Sequence, residues 1–272
     1  FTNRTLLWRH IMRFQDKVVF ITGGTKGLGK AMAAGFLAEG AKVAVIGRKE
    51  RAVGKFQEEF AGKGVMAFAA DISDYGAIEA VVSSVTEAWG RIDILVNNAG
   101  IIHPLAPSEG LKKEEFDRVI DVNIKGTFYV TQIVGRTMIN QKEGRIVTIA
   151  SQVALFGEKG FLPYALSKLA VTGMMRELSY EWSKHGVTSV SVAPGFMKGG
   201  MNEGLIRNEV FLDYLSKRTP IGRLGNVDEL VALILFLSSS DARYVNGETI
   251  VMDGGMTGYV PEPLLDFIAK GR

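Results

Sequence analysis

Short apolar runs alternate with amphipathic segments along the first hundred residues of the chain. The apolar runs, ended by glycine or polar residues, predict buried strands at residues 17–22, 41–46, 65–70 and 92–96. Apolar residues at helical spacing between these runs predict helices at residues 28–39, 50–60 and 75–89. Strands that alternate with helices form βαβ units, so this pattern predicts a parallel sheet with helices on both faces. Since no linker, repeat or low-complexity segment divides the chain, we expect one doubly wound α/β domain.

Two later segments, residues 119–139 and 169–182, are predicted helices with apolar residues on nearly every face. A helix that is apolar all round is buried on both sides. The sheet can cover one side, and a second subunit is the simplest cover for the other. We therefore expect a homo-oligomer, a tetramer or a dimer, with a monomer covered by extra loops as the alternative.

Composition narrows the class of protein. The 272 residues include no cysteine, which fits a reducing compartment, so we expect a cytoplasmic protein. The net charge is only +3 and the basic residues form no stripe, which argues against nucleic acid as a partner. No apolar run reaches the length of about eighteen residues that a membrane span needs. No metal site is expected, because the three histidines are scattered: His10, His103 and His185.

The two ends of the chain differ from its centre. Residues 1–13 are basic with a short apolar patch, and we interpret them as a leader or an added extension. Residues 259–272 follow the predicted domain, 14–258, as a C-terminal extension. The sequence leaves open whether this tail contacts a neighbouring subunit or covers a pocket.

A glycine-rich turn follows the first predicted strand. Glycines permit a tight turn and close backbone approach, and the helix that follows offers free N–H groups to a pyrophosphate. The spacing here is G-x-x-x-G-x-G rather than G-x-G-x-x-G. Its position after the first strand still favours a dinucleotide site. The candidate residues are Gly23, Thr25, Lys26, Gly27, Leu28 and Gly29.

The end of the second predicted strand indicates which dinucleotide binds. A carboxylate there binds the 2′-hydroxyl of the adenosine ribose, whereas an arginine accommodates a 2′-phosphate. This strand ends in Arg48 and Lys49 with no carboxylate, and Lys26 adds another cation. We predict a preference for NADP(H), with NAD(H) possible.

Tyr164 and Lys168 lie four residues apart, on one face of a predicted helix. A neighbouring ammonium favours the phenolate that proton transfer by a tyrosine requires. Ser151 follows an apolar run at residues 145–150, and a hydroxyl at that strand end can meet the Tyr–Lys pair. The three residues outline a site for general acid/base catalysis.

Taken together, eight motifs at this spacing resemble the short-chain dehydrogenase/reductase family from about residue 14 to residue 256. They are Thr22-Gly-x-x-x-Gly27-x-Gly29, Asp71, Asn97-Asn98-Ala99-Gly100, Asn123, Ser151, Tyr164-x-x-x-Lys168, Pro194-Gly195 and Asp253-Gly254-Gly255. The resemblance implies a Rossmann-type domain with a parallel seven-stranded sheet. It also implies an NAD(P)-dependent enzyme that interconverts an alcohol and a ketone of a small-molecule substrate.

The resemblance further implies a role for each matching residue. Tyr164 would be the general acid/base and Lys168 would hold the nicotinamide ribose. Ser151 would orient the carbonyl, and Asn123 would position a water that relays protons. The remaining predicted cofactor contacts outside the glycine turn are Asp71, Ile72, Asn98, Ala99, Gly100, Pro194, Gly195 and Met197.

One position departs from the family pattern. A threonine that contacts the nicotinamide carboxamide usually follows Pro194-Gly195 by a few residues, and this chain has Gly199 there. Backbone groups could take over that contact, in a loop with more freedom than usual.

Substrate identity is expected to depend on the loop at residues 196–224. The candidate substrate contacts are His103, Phe156, Phe161 and Met201. The run at residues 211–220, with Gly222-Arg223-Leu224-Gly225 and Val245-Asn246-Gly247, resembles gluconate 5-dehydrogenases. Lys198, Asn202 and Arg207 could bind a sugar acid. Apolar residues around the predicted pocket fit a ketone, a cyclic alcohol or a 3-oxoacyl thioester better. A cofactor sensor without turnover is a further alternative, which the intact set of four catalytic positions disfavours.

Overall fold

Successive residues of the first strand, β1 (Val18–Thr22), face opposite sides of a parallel sheet. Val19 and Ile21 pack into one apolar core, whereas Val18 and Phe20 pack into a second core on the other face. Because helices cover both faces, every position of this strand is buried, as is usual for strands of a doubly wound sheet.

A computed structural model describes residues 12–199 and 207–258. The other strands are β2 (Lys42–Gly47), β3 (Val65–Ala69), β4 (Ile94–Asn97), β5 (Gly144–Ile149), β6 (Val187–Pro194) and β7 (Thr249–Met252). Within the described residues, the seven strands form one sheet in the order β3-β2-β1-β4-β5-β6-β7, and all neighbours are parallel. The predicted doubly wound, seven-stranded α/β fold is confirmed.

Eight α-helices of the described chain surround the sheet. They are α1 (Gly27–Ala38), α2 (Glu50–Glu59), α3 (Tyr75–Trp89), α4 (Lys113–Ile120), α5 (Thr127–Gln141), α6 (Leu162–Trp182), α7 (Glu209–Arg218) and α8 (Val227–Ser238). Side chains of α1, α2 and α8 fill the core on one face, and side chains of α3, α5 and α6 fill the core on the other. None of the helices within residues 12–199 and 207–258 has the length and hydropathy to cross a membrane.

Two predicted helices differ from the structure in their bounds. The segment predicted as one helix at residues 119–139 is divided by a π-helical turn at Asp121–Gly126, which joins α4 to α5. The helix predicted at residues 169–182 begins earlier, at Leu162, so that Tyr164 and Lys168 lie within α6. The predicted leader lies almost wholly outside the described residues, and the predicted tail at 259–272 lies entirely outside them.

The strand order reverses between β1 and β4. Their outgoing connections therefore run to opposite sides of the sheet and leave a crevice at the carboxyl ends of the two strands. Ligands of doubly wound proteins bind in this crevice. The glycine-rich turn after β1 and the Asn-Asn-Ala-Gly segment after β4 meet there.

Candidate active site

The turn between β1 and α1 brings the backbone close to the crevice. Gly23 and Gly27 have φ angles of +64° and +54°, which L side chains rarely adopt. A Cβ at Gly29 would lie 2.2 Å from the carbonyl oxygen of Gly23, so a side chain there would displace the turn. Lys26 precedes α1 and its side chain makes no capping hydrogen bond to the first turn. The N–H groups at the start of α1 therefore remain available to an anion, as a pyrophosphate site requires.

Thr22, at the end of β1, ties this turn to the segment after β4. Its hydroxyl accepts hydrogen bonds from the backbone N–H groups of Asn98 and Ala99, both at 2.9 Å. In return, the Asn98 side chain donates to the carbonyl oxygens of Thr22 at 3.0 Å and Gly23 at 3.2 Å. Asn98 thus fixes the two connections that border the crevice.

The far end of the crevice is formed by the ends of β2 and β3. Arg48 follows β2, and its Nη1 lies 4.0 Å from Oδ2 of Asp71, which follows β3. Asp71 also accepts hydrogen bonds from the backbone and the hydroxyl of Ser73, at 3.0 and 2.7 Å. Ile72 is buried beside it. This arrangement places a half-exposed guanidinium where the predicted adenosine end of the cofactor would lie.

Three further residues were predicted at the adenosine end of the crevice: Thr25, Lys26 and Lys49. The side chain of Thr25 lies against Gly47, where a Cβ would lie 2.5 Å from its Oγ1. Lys26 and Lys49 are exposed. Both lysine side chains are therefore open to solvent at this end of the crevice.

Asn123 lies in the π-helical turn and is held on three sides. Its Oδ1 accepts a hydrogen bond from the N–H of Ile101 at 2.8 Å, and its Nδ2 donates to the carbonyl of Ile101 at 2.9 Å. Nδ2 also donates to Ser167 Oγ at 2.9 Å, and that hydroxyl donates to the carbonyl of Tyr164 at 2.7 Å. The π-helical turn thus connects the segment after β4 to the backbone of α6 at the candidate catalytic tyrosine.

Tyr164 and Lys168 are both buried on α6, and Ser151 lies just beyond the end of β5. The Tyr164 hydroxyl faces the Ser151 side chain, which lowers the pKa of the phenol. Lys168 Nζ lies 5.7 Å from the centre of the Tyr164 ring and donates to the carbonyl of Ile149 at 2.7 Å. The structure therefore brings Ser151, Tyr164 and Lys168 together.

Asn123 and Lys168 converge on the backbone of Gly100. A Cβ built at Gly100 would lie 3.4 Å from Asn123 Oδ1 and 3.5 Å from Lys168 Nζ. The absence of a side chain at Gly100 leaves these two polar atoms facing a common space. All four predicted catalytic residues thus surround one region at the carboxyl edge of the sheet.

Burial determines the resting protonation of the tyrosine and the lysine. It raises the pKa of Tyr164 to about 12, although the Ser151 side chain lowers it in part. Burial also lowers the pKa of Lys168 to about 8. At neutral pH the phenol therefore keeps its proton, and the ammonium is close to the pH at which it would lose one.

His103 takes a different role from the one predicted. The sequence suggested a substrate contact, but the imidazole is 2% exposed and its Nε2 is hydrogen-bonded with the carbonyl of Gly160 at 3.0 Å. Arg218 of α7 also forms an ion pair at 3.1 Å with Glu158, on the same loop as Gly160. His103 therefore connects the segment after β4 to the loop that precedes α6, and it positions this loop rather than lining an open pocket.

Met197 was predicted to contact the cofactor, but its side chain is buried in the core and packs against Gly225. Any contact with a cofactor would have to come from its backbone. Pro194 ends β6, and the N–H of Gly195 donates to the carbonyl of Met252 at 2.9 Å. A Cβ at Gly195 would lie 2.8 Å from Cα of Asp253, so only glycine fits there.

The predicted apolar substrate contacts are described only in part. Phe161 precedes α6, and its ring centre lies 6.5 Å from that of Tyr164. Phe156 is half-buried on the loop before α6, and Leu105 and Leu155 are exposed near it. Met201 lies outside the described residues. The segments next to Tyr164 therefore present several apolar side chains.

Three contributors to this site were missed at the sequence level. Thr22 was part of a motif, but its hydroxyl was not assigned a role. The carbonyl of Ile149, which orients Lys168, belongs to a residue whose side chain carries no functional signal. Ser167 lies between Tyr164 and Lys168 in sequence, and a polar residue on the buried side of α6 was the only available clue.

A family model described as enoyl-(acyl carrier protein) reductase matches residues 23–257. The chain is 37% identical over 239 residues to gluconate 5-dehydrogenase of Gluconobacter oxydans, covering 87% of this chain and 93% of the relative. It is 40% identical over 249 residues to a 3-oxoacyl-[acyl-carrier-protein] reductase of Thermotoga maritima, covering 90% and 99%.

A solved structure of another gluconate 5-dehydrogenase is also similar to this chain. The structure of a gluconate 5-dehydrogenase from Burkholderia cenocepacia, in complex with NADP and tartrate, is similar to this chain with a TM-score of 0.85. The two chains are 32% identical, and the match covers 92% of this chain and 99% of the other.

Proposed function

This chain belongs to the short-chain dehydrogenase/reductase family of NAD(P)-dependent oxidoreductases, and on that premise we propose that it interconverts a secondary alcohol and a ketone with NADP(H). The single observation that supports this most strongly is the grouping of Ser151 with the buried Tyr164 and Lys168 beside the glycine-rich turn. The cluster supplies a proton at one end of the crevice, and the glycine-rich turn farther along the crevice is suited to bind the pyrophosphate of a dinucleotide.

The glycine-rich turn fits a bound dinucleotide. A Cβ at Gly29 would clash with the carbonyl of Gly23 and the side chain of Asn98, so the glycine keeps the turn tight at the start of α1. The N-terminal N–H groups of α1 would hold the pyrophosphate, and Lys168 would hold the nicotinamide ribose. When bound, the nicotinamide supplies the hydride for reduction or accepts it for oxidation.

The residues of the chain supply the proton and hold the substrate. In the reducing direction, the protonated Tyr164 hydroxyl donates to the carbonyl oxygen while Ser151 orients that oxygen by a hydrogen bond. The nearby Lys168 ammonium stabilises the phenolate that remains. Asn123 and Lys168 face a common space at Gly100, where a water could carry the replacement proton. Oxidation runs through the same groups in reverse.

The proposed preference for NADP(H) rests on charge at the adenosine end. Arg48 follows β2 at the position where a carboxylate would select NAD(H), and the exposed Lys49 is next to it in the chain. A 2′-phosphate can form bidentate, charge-assisted hydrogen bonds with a guanidinium. The complex of a 32% identical relative with NADP supports the same preference.

We propose an apolar carbonyl compound as the substrate class. The polar contact predicted from His103 is committed to Gly160, and Phe161 lies beside Tyr164 with Leu105 and Leu155 exposed nearby. Such surroundings fit a cyclic ketone or a 3-oxoacyl thioester. Similarity to the Thermotoga maritima reductase supports the thioester.

A sugar acid is the second candidate, supported by the similarity to two gluconate 5-dehydrogenases. Of the three polar residues predicted to bind it, Lys198 and Arg207 are exposed. Lys198 also lies close enough to Glu229 to help lower the pKa of that carboxyl group. Asn202 lies outside the described residues.

Nicotinamide absorbance against time tests both the proposed substrate class and the proposed cofactor preference. NADP⁺ with gluconate forms one arm, and NADPH with an acetoacetyl thioester or a cyclic ketone forms the other, each repeated with the NAD form. We expect reduction of the apolar carbonyls with NADPH. Oxidation of gluconate alone would replace the substrate proposal with the sugar-acid candidate, and preference for the NAD form would contradict the role of Arg48.

Replacement of Tyr164 by phenylalanine tests the proton donor. Turnover should fall by about 10²–10⁴-fold, the usual contribution of a general acid/base, while cofactor affinity stays within about twofold. Tyr180→Phe is the matched control, because Tyr180 lies on the same helix but is 83% exposed. Unchanged turnover in Tyr164→Phe would exclude Tyr164 as the acid/base. A wild-type chain that binds cofactor but turns over no carbonyl or alcohol would instead be a sensor.

A further inference from the structure

A cavity of about 160 Å³ lies at the amino edge of the sheet, on the opposite side of the molecule from the candidate active site. The starts of β1, β4, β5 and β6 border it, together with the end of α8 and the residues that follow. Its volume is far larger than a single water needs. The lining residues used below are Arg13, Lys17, Arg145, Ser238 and Arg243.

Arg145 is a buried cation with incomplete hydrogen bonding. Its side chain is 6% exposed, and Nε donates to the carbonyl of Leu237 at 2.7 Å. Nη1 donates to Thr188 Oγ1 at 3.1 Å and to the carbonyl of Val245 at 2.9 Å. Nη2 is buried with no hydrogen-bond partner among the described residues. Leaving a buried guanidinium donor unsatisfied is costly, so this atom requires an acceptor.

A second unpaired polar atom lies in the lining of the same cavity. Ser238, at the end of α8, is 7% exposed, and its Oγ also has no partner within the described chain. A guanidinium N–H can only donate, whereas a hydroxyl can donate as well as accept. One acceptor in the cavity can therefore pair with both atoms, whereas a cation would be repelled by the guanidinium.

The charges around the cavity also favour an anion. Ion pairs join Arg13 to Glu39 at 2.7 Å, Lys17 to Asp93 at 3.1 Å and Arg243 to Glu143 at 2.7 Å.

Two more charged groups lie close by. Arg91 pairs with Asp93 and with Glu143, and Asp241 is close enough to Arg13 to raise the pKa of that guanidinium. The five cations therefore face four carboxylates, and none of the ion pairs in the described residues involves Arg145. The unmatched positive charge is the buried one.

We propose that this cavity binds a small oxyanion, a phosphate or carboxylate group, which accepts hydrogen bonds from Arg145 and Ser238 and is attracted by Arg243 at the rim. The site is separate from the dinucleotide crevice, because it lies at the opposite edge of the same strands. Occupancy stabilises the folded chain, since an anion bound only to the native state shifts the unfolding equilibrium.

Thermal unfolding during a titration with inorganic phosphate tests this site. Saturating NADPH is present throughout, so that phosphate cannot act at the glycine-rich turn. A sodium chloride titration at matched ionic strength corrects for screening. A parallel titration with malonate distinguishes a carboxylate ligand from a phosphate, and stabilisation by either anion supports the site.

The variants are Ser238→Ala and Arg243→Gln, with Lys55→Gln as the control. Ser238→Ala removes an unpaired hydroxyl, so it should not destabilise the chain in the absence of phosphate. Within the described chain, the Arg243 side chain forms only an exposed ion pair, which contributes little to stability. Lys55 is an exposed cation on α2 that does not line the cavity.

We expect phosphate to raise the unfolding temperature of the wild type and of Lys55→Gln. Its apparent Kd should rise at least about tenfold in each cavity variant, because each loses a hydrogen bond or a charge that contacts the anion. Stabilisation that is equal in all four proteins, or that sodium chloride reproduces, would overturn the proposal. No stabilisation of the wild type by phosphate or malonate would overturn it as well.

Discussion

Arg48 is the residue on which the proposed cofactor preference depends most directly. Its guanidinium is more than half exposed, and among the described residues its ion pair with Asp71 is a long one, 4.0 Å, so it remains available to a phosphate. Hydrogen bonds to a charged group contribute about 1.5–3 kcal/mol.

Arg48→Gln should therefore lower kcat/KM for the NADP form by about 10–100-fold. The value for the NAD form should change by less than about threefold, because that cofactor has a hydroxyl in place of the phosphate. Initial rates with both cofactors give kcat/KM for the NADP form and for the NAD form, and hence the ratio of the two values. Arg51→Gln, one helical turn further along and also exposed, is the control. An equal loss of kcat/KM with both cofactors would mean that Arg48 supports the fold and does not bind the 2′-phosphate.

The burial of Lys168 links the stability of the unliganded chain to pH. Its folded-state pKa is about 8, below the ordinary value of 10.5, so the folded chain binds fewer protons than the unfolded chain between these values. Stability should therefore rise as pH increases from 8. Tyr164 acts with the opposite sign, because its raised pKa of about 12 makes the folded chain bind more protons above pH 10.

The contribution of Lys168 is therefore clearest from pH 8 to pH 10, where it should add about 2 kcal/mol to the free energy of unfolding. Lys168→Met lacks the titrating group, so its stability should lack this rise. Urea unfolding of both proteins without cofactor, at several pH values in this range, gives the difference. Parallel curves for wild type and variant would show that Lys168 is not buried as an uncompensated cation.

At the scale of elements, the turn between β1 and α1 depends on the absence of a side chain at Gly29. An added Cβ would lie 2.2 Å from a backbone carbonyl, which cannot move without displacing the whole turn. Gly29→Ala should weaken cofactor binding by at least about tenfold and lower the unfolding temperature. Fluorescence titration with NADPH and thermal unfolding measure the two effects.

Gly54→Ala provides the control for this substitution. Gly54 lies inside α2, and no heavy atom lies within 4 Å of the position that its Cβ would take. Alanine there should stabilise the chain by about 0.5–1 kcal/mol through helix propensity and leave cofactor affinity unchanged. If Gly29→Ala bound NADPH as tightly as Gly54→Ala, the turn would not be the pyrophosphate site.

The elements themselves were largely predictable, because buried strands and amphipathic helices leave a clear periodicity. The π-helical turn at Asp121–Gly126 was not predicted, since one extra residue within an apolar segment hardly alters its pattern. This turn places Asn123 between Ile101 and Ser167. Sequence motifs therefore identified Asn123, whereas the element that orients it became visible only in the structure.

Two of the predicted contacts have side chains that point into the protein. His103 was predicted to contact the substrate and Met197 the cofactor, and both side chains are buried. A side chain can instead turn inward: the Nε2 of His103 is hydrogen-bonded with the carbonyl of Gly160, and Met197 packs in the core. The direction of a side chain in an irregular segment is set by tertiary contacts that a single sequence does not encode locally.

At the scale of the whole molecule, the order of the strands follows from the doubly wound pattern, but the surfaces that the sheet does not cover need another explanation. The outer face of α6 carries Leu162, Leu166 and Leu169 at intervals of four and three residues, each 42–51% exposed. Phe128, on α5, is also 40% exposed. Leucines at this spacing form a continuous stripe along one face of a helix, and a long apolar stripe left to solvent is unusual for a monomer.

We propose that this stripe is covered by a second copy of the chain, and Leu169→Glu tests the proposal. A carboxylate introduced into an apolar contact between subunits is desolvated without a partner, so association should weaken by several orders of magnitude. Size-exclusion chromatography with light scattering should show a dimer or tetramer for the wild type and a smaller species for the variant. Ala61→Glu, which adds the same charge to an exposed position after α2, should leave the mass unchanged. A wild type that elutes as a monomer would show that the subunits do not associate. An oligomeric Leu169→Glu variant with the mass of the wild type would show that another surface joins the subunits.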